Sequence, residues 1–138
     1  MDTAIKKLTL DEYLVHDDGT DVRYELVDGE LVEMPPESDR NNLISLYLLS
    51  QFLKFVPIQL IRRKDTELVV IGNRTRVRLP DLMILTQELL EAMSTTGYAY
   101  AGGRATITPD MPSPTLVVEV VSPGKVHELI GKVCVYHL

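Results

Sequence analysis

The chain has 138 residues, of which 45% are hydrophobic, and this size and composition suit one globular domain with a real core. A formal net charge of -6 and a pI near 5.0 argue against a broad basic surface for nucleic acid. The single cysteine excludes an internal disulfide, and the sequence shows neither a secretory leader nor the roughly 20 apolar residues of a membrane span, so we expect a cytoplasmic protein.

The first half of the chain predicts a short helix, a hairpin and a long helix. Thr9 and Glu12 have the spacing of a capping box and predict a helix that starts after Thr9. The pair Asp28-Gly29 lies between two strand-like runs in residues 24–34, which predicts a β-hairpin with a two-residue turn. Residues 38–56 follow helical spacing, and their apolar surface is broad enough to predict burial on more than one side.

The second half predicts a set of short strands with one short helix. A long loop over residues 94–114 is rich in Gly, Thr, Ser and Pro, and we expect a short strand within it. The tail after Gly124 is the least regular part, and a helix is predicted for residues 127–135. The predicted strands are 59–62, 67–71, 75–85, 105–107 and 116–121, and the short helix is 86–93.

Two of these apolar runs each contain one acid, Asp81 and Glu119. A carboxylate on a buried strand is costly unless it is paired, protonated or bound to a metal. Adjacent strands would bring the two acids side by side, where a hard cation such as Mg²⁺ finds its preferred ligands. The alternative is that each acid lies at a strand end and contacts solvent or a lysine. Pro80 cannot donate to a ladder, so we expect an irregularity beside Asp81.

Three blocks occur in an order that resembles a known family: residues 23–31 (RYELVDGEL), 76–81 (RVRLPD) and 114–124 (PTLVVEVVSPG). The Pro-Asp pair followed by Val-Val-Glu-Val-Val resembles the PD-(D/E)XK nuclease superfamily. Together the blocks resemble its Uma family of restriction-endonuclease-like proteins, from about residue 8 to residue 124. The resemblance implies an α/β fold with a mixed sheet, a metal ion (Mg²⁺ or Mn²⁺) and DNA as the substrate.

The resemblance also implies roles for particular residues. Asp81 and Glu119 match the two metal-binding acids, and Val120 would lend a backbone carbonyl to the metal. The lysine of the motif falls on Val121, which cannot stabilise negative charge. The family often supplies this lysine from the next helix, where Lys132 is the first candidate; Lys125 is the second.

Three further features keep two interpretations each. Glu25 is either an additional metal ligand or a partner for Arg23 or another basic side chain. Asn41 and Asn42 either face the site or bond at the start of the long helix. The arginines at alternate positions 74, 76 and 78 share one face of a strand, which either meets a phosphate backbone or is solvated.

We therefore expect one restriction-endonuclease-like domain over residues 1–138, with an N-terminal β-hairpin and without the family's C-terminal strand. The expected activity is metal-dependent hydrolysis of phosphodiester bonds in DNA. The competing hypothesis is a catalytically silent module for binding or self-association, because an incomplete sheet exposes an edge. A two-fold homodimer is the expected assembly of an enzyme of this size.

Overall fold

The computed structural model describes residues 7–34, 36–71, 76–97, 104–120 and 133–136, with backbone alone for the last four. Within these residues the chain forms three α-helices and nine β-strands in mixed order. The helices are α1 (Leu10–Leu14), α2 (Asp39–Phe52) and α3 (Gln87–Ala92). The strands are β1 (Tyr24–Val27), β2 (Glu30–Glu33), β3 (Ile61–Arg63), β4 (Thr66–Val70), β5 (Arg76–Arg78), β6 (Leu82–Ile84), β7 (Ala105–Ile107), β8 (Leu116–Val120) and β9 (Val133–Tyr136).

The predicted helix starts and the hairpin are confirmed. Thr9 and Glu12 form the capping box of α1, with each side chain accepting from the other residue's backbone N–H. Strands β1 and β2 pair antiparallel around Asp28 and Gly29, whose φ angles are 53° and 86°. Only a short polar residue or glycine takes this left-handed conformation readily, so the two residues specify the turn. Thr86 caps α3 as expected.

Helix α2 begins as predicted but is less buried than its composition suggests. Ser38 caps it by accepting from the Asn41 N–H, and the helix ends at Phe52, four residues before Val56. The prediction of burial on more than one side is wrong, because Leu43 and Tyr47 are 58% and 64% exposed. One face packs on a sheet, while the opposite face meets no described element.

The strands form two sheets, of five and four strands. The order is β2-β1-β5-β4-β7 in the first and β3-β6-β8-β9 in the second. Helix α1 covers the first sheet over Val69 and Val77, and α2 covers the second over Leu82 and Val118. A third cluster, which includes Leu89 of α3, combines residues of both sheets. No described helix is long and apolar enough to cross a membrane.

The run predicted as one strand over residues 75–85 is two strands in different sheets. Strand β5 pairs with β1 and β4, whereas β6 pairs with β3 and β8. The chain passes from one sheet to the other through Leu79, Pro80 and Asp81. Pro80 has no N–H to contribute to a ladder, so the regular pairing ends there. The expected irregularity beside Asp81 is thus confirmed, and the single strand is wrong.

The C-terminal expectations have mixed outcomes. The helix predicted for residues 127–135 is wrong at its end, because Val133–Tyr136 is strand β9, which pairs antiparallel with β8. A strand therefore follows β8 where none was expected. Residues 121–132 lie outside the described residues, and so do the predictions that concern Val121, Lys125 and Lys132.

Candidate active site

Asp81 lies at the edge of the second sheet, immediately before β6. The register of β6 with β8 pairs Leu82 with Val118, and extended by one residue it sets Asp81 opposite Glu119. Residues directly opposite on adjacent antiparallel strands project from the same face of a sheet. The two acids singled out from sequence are therefore brought to neighbouring positions on one face.

The carboxylate of Asp81 accepts a hydrogen bond from the backbone of β8. Extended by two residues, the same register sets Pro80 opposite Val120. The Val120 N–H donates instead to Asp81 Oδ2 at 2.6 Å. Asp81 is 9% exposed, and burial raises the pKa of its carboxyl group, while the hydrogen bond from Val120 opposes the rise. The charge of nearby Glu37 raises this pKa further.

Asp81 also lines a cleft of about 310 Å³ at the edge of the second sheet. Glu37 and Lys64 line the same cleft, and Lys64 Nζ lies 3.2 Å from Glu37 Oε2. Arg23, Glu33 and Asp65 add further charges to the lining. The lining thus carries four acids and two basic residues, an excess of negative charge that favours cations.

Glu119 is held by Arg78 rather than by solvent. Both oxygens of Glu119 accept from Arg78 Nη2, at 2.8 and 2.9 Å. Arg78 Nε donates to Glu25 Oε2 at 3.3 Å, and the Leu79 N–H donates to the same oxygen at 2.8 Å. Of the two interpretations of Glu25, the structure contains the pairing with a basic side chain, and the partner is Arg78. Arg78 therefore joins the two acids into one ionic cluster.

Burial and neighbouring charges act in opposite directions on the carboxyl group of Glu119. Burial raises the pKa of Glu119, Arg78 lowers it, and the negative charges of Glu25 and Asp81 raise it again. The three carboxylates therefore interact with one another, and their oxygens are hard donors that suit Mg²⁺ or Mn²⁺. Among the described residues, no group of three or more His, Cys, Asp or Glu has the arrangement of a formed metal site.

The backbone of Val120 offers one more oxygen on the same side. In an antiparallel strand the N–H and C=O of one residue face the same neighbouring strand. Since the Val120 N–H reaches Asp81, its carbonyl also turns towards Pro80 and Asp81. Pro80 has no N–H to donate to it, so the β6–β8 ladder leaves this carbonyl without its usual donor. The donor set of Asp81, Glu119 and the Val120 carbonyl fits a hard divalent cation.

The remaining candidates have structural partners. Asn42 Oδ1 accepts from Arg63 Nη2 at 3.2 Å, and Asn41 is buried in the first turn of α2. Of the arginine row, Arg76 is exposed, whereas Arg78 is committed to the acids. Arg74 lies outside the described residues. The row is therefore not a uniform basic face.

A second buried acid, Glu67 on β4, was missed as a charged centre. It is 1% exposed, accepts from the Tyr13 hydroxyl and from Thr106 Oγ1, and lies 2.9 Å from Arg104 Nε in an ionic contact without hydrogen-bond alignment. Burial and the Glu67 contact raise the pKa of Tyr13. The guanidinium of Arg104 also packs over the Tyr13 ring, 4.8 Å from its centroid. This cluster fastens α1 to the first sheet.

The sequence carried the signal for Glu67, since it is an acid in an apolar run like Asp81 and Glu119. The two acids differ in their surroundings, because Glu67 contacts the half-buried Arg104 and two hydroxyl groups, whereas Asp81 lines a cleft. Glu37 and Lys64, in contrast, lie in polar stretches that carry no distinctive pattern. The pairing of β3 with β6 brings Lys64 to the site, and Glu37, just before α2, meets it there through their ionic contact.

The comparisons with known proteins agree with this architecture. The model of the Uma2 family, described as "Putative restriction endonuclease", matches residues 10–138. The two sheets with flanking helices agree with the restriction-endonuclease-like α/β fold that this match implies. Neither the comparison with curated proteins nor the comparison with solved structures finds a match.

Proposed function

The chain belongs to the Uma2 family, and from this premise we propose that it is a metal-dependent endonuclease that hydrolyses phosphodiester bonds in DNA. The observation that carries the proposal is the position of Asp81 opposite Glu119 at the edge of the second sheet, beside the open cleft. A family of nuclease type suggests the reaction class. Fold alone does not establish activity, so the argument rests on the residues of the site.

In this proposal Asp81, Glu119 and the Val120 carbonyl hold Mg²⁺ or Mn²⁺, and Glu25 is an additional ligand or takes up Arg78 when the metal replaces it at Glu119. The bound ion would polarise the phosphate and lower the pKa of a bound water. The hydrogen bond from Val120 fixes the orientation of Asp81, so that one carboxylate oxygen stays directed away from the backbone. Lys132 remains the proposed stabiliser of negative charge from beyond β8. A cytoplasmic location and a two-fold homodimer complete the proposal.

Calorimetric titration of Mn²⁺ into the wild type and into the double variant Asp81→Asn/Glu119→Gln tests the proposed ligands. We expect binding to the wild type and none to the variant. The matched control is Glu88→Gln/Glu91→Gln, which makes the same change of charge at two exposed residues of α3 and should bind as the wild type does. Cleavage of plasmid DNA with Mg²⁺ should follow the same order. Retained Mn²⁺ binding in the Asp81/Glu119 variant would contradict the assignment.

The structure also supports a second candidate, the silent module. Glu119 is engaged at both oxygens by Arg78, and such a pair can neutralise the acid without any metal. In this case a well-folded wild type binds no Mn²⁺ and cleaves no DNA. The exposed apolar face of α2, with Leu43 and Tyr47, would then be the first surface to probe for self-association.

A further inference from the structure

Lys64 lies in line with the two candidate metal ligands. It follows strand β3, which pairs with β6 on the side away from β8. The register of β3 with β6 pairs Arg63 with Leu82, and extended by one residue it sets Lys64 opposite Asp81. The β6–β8 register sets Asp81 opposite Glu119 in the same way. In the extended registers Lys64 follows β3, Asp81 precedes β6 and Glu119 lies on β8, so the three residues form a row at corresponding positions.

The surroundings of Lys64 hold its ammonium group near the cleft. Lys64 begins the turn between β3 and β4, and both strands are fixed by pairing with their neighbours. The side chain is 34% exposed, and its Nζ lies 3.2 Å from Glu37 Oε2 in the cleft that Asp81 also lines. Lys64 is therefore positioned by the fold, although its ionic contact with Glu37 is at the edge of solvent and can be exchanged.

The other described cations near Asp81 are committed to groups of the protein. Arg78 binds both oxygens of Glu119 and one oxygen of Glu25. Arg23, which also lines the cleft, donates from Nη2 to the Asp65 carbonyl at 2.9 Å, and its Nε is buried away from the cleft's solvent, without a hydrogen-bond partner among the described residues. Among the cations that line this cleft, Lys64 has the partner that is most easily replaced, because an incoming phosphate oxygen can substitute for the Glu37 carboxylate.

We propose that Lys64 binds the substrate phosphate at this site, a role separate from the one proposed for Lys132. The inference rests on the proposed function for the identity of the substrate, a DNA phosphodiester. In free protein Glu37 holds the ammonium group beside Asp81. When DNA enters the cleft, a non-bridging phosphate oxygen replaces Glu37 as the partner of Nζ. Lys64 then places the phosphate next to the carboxylates of the row.

Binding of a fluorescently labelled DNA duplex of mixed sequence, with Ca²⁺ in place of Mg²⁺, tests the role without depending on cleavage. Lys64→Met should weaken binding by roughly tenfold at low salt and reduce the slope of log K against log[salt] by about 0.9, the loss of one phosphate contact. Lys64→Arg should retain most of the affinity. Glu37→Gln, which releases Lys64, should bind DNA at least as tightly as the wild type.

The matched control is Lys54→Met, because Lys54 is an exposed lysine whose Nζ bonds only to the nearby Gln51 side chain among the described residues. It should leave both affinity and slope unchanged. Mn²⁺ affinity should stay within about twofold of wild type in Lys64→Met, since a phosphate-binding residue does not ligate the metal. Urea unfolding of both variants confirms that each remains folded.

Equal affinity and equal salt slope for Lys64→Met and the wild type would overturn the inference. In that event the proposed function stands if the wild type still cleaves DNA and Asp81→Asn does not. If the wild type binds Mn²⁺ but Lys64→Met loses it, Lys64 supports the carboxylates and does not bind phosphate, and the inference is again wrong. A wild type that neither binds nor cleaves DNA overturns both proposals.

Discussion

Arg78 neutralises Glu119 and Glu25 in the candidate site. Its replacement by methionine tests whether this guanidinium stabilises the fold and competes with a metal ion for Glu119. Arg78→Met keeps most of the side-chain stem but removes the contacts of 2.8 and 2.9 Å to Glu119 and of 3.3 Å to Glu25. Both acids then lose the positive charge that offsets the cost of burying their carboxylates. We expect the variant to fold, to lose stability, and to bind Mn²⁺ more tightly.

The size of the stability loss follows from the exposure of the three side chains. Breaking a fully buried ion pair costs about 3–5 kcal/mol, whereas an exposed pair contributes about 1 kcal/mol or less. The Arg78 side chain is 34% exposed, and those of Glu119 and Glu25 are 19% and 15% exposed. The cluster lies between the two limits, so we expect a loss of about 1–3 kcal/mol in the free energy of unfolding without metal.

The expected change in Mn²⁺ affinity follows because Arg78 and the metal ion compete for the carboxylate of Glu119. With the guanidinium gone, a divalent cation no longer displaces Arg78 from Glu119, and we expect the Kd for Mn²⁺ to fall by roughly tenfold, which corresponds to about 1.4 kcal/mol. Added Mn²⁺ should therefore stabilise Arg78→Met more than it stabilises the wild type, by linkage between binding and folding.

Urea unfolding of wild type and variant, each with and without saturating Mn²⁺, measures both effects, and calorimetry gives the two Kd values. Arg76→Met is the control, because Arg76 lies on the same strand and is exposed. It should change the free energy of unfolding by less than about 0.5 kcal/mol. Weaker Mn²⁺ binding by Arg78→Met than by the wild type would refute the competition, and an unchanged stability would refute the ionic cluster.

Three further predictions concern the buried acids. Asp81→Asn keeps an oxygen for the Val120 N–H and should change stability by less than about 1 kcal/mol, whereas Asp81→Ala leaves that N–H unsatisfied and should lose about 1–3 kcal/mol in urea unfolding. Burial raises the pKa values of the Asp81 and Glu119 carboxyl groups. At a pH between the ordinary and the raised pKa values, the folded state therefore binds more protons than the unfolded state does. As the pH rises through this range, metal-free wild type should lose stability relative to the variant Asp81→Asn/Glu119→Gln, which cannot titrate at these positions. Urea unfolding at several pH values measures the difference, and a gain of stability with rising pH would contradict the prediction. Glu67→Ala leaves the Arg104 charge without its buried partner and should lower stability by about 3–5 kcal/mol; a loss below about 1 kcal/mol in thermal unfolding would show that the pair is not needed.

The features predicted from sequence are those that local chemistry specifies. The turn at Asp28-Gly29 requires two residues that accept positive φ, and the sequence supplies them side by side. The caps at Thr9, Ser38 and Thr86 each need one hydroxyl group just before a helix, and the sequence supplies one at each position. Since these signals act within a few residues, they do not depend on how the sheets assemble.

The features that were missed depend on which strands become neighbours. The run over residues 75–85 alternates like one strand, and only the partners of β5 and β6 reveal that it serves two sheets. The same holds for Arg78, whose commitment to Glu25 and Glu119 joins β1, β5 and β8. Helix α2 was assigned too much burial because its apolar residues outnumber the positions that the second sheet covers.

The passage between the sheets also explains why one site can serve either candidate function. Arg78 ends a strand of the first sheet and Asp81 precedes a strand of the second, so Pro80 separates the guanidinium from the acid that would bind the metal. Glu119 faces both groups and accepts one strong cation. With Arg78 as that cation, the cluster links β5 of the first sheet to β8 of the second. Under the proposed function, a divalent ion would therefore have to compete with Arg78 for Glu119.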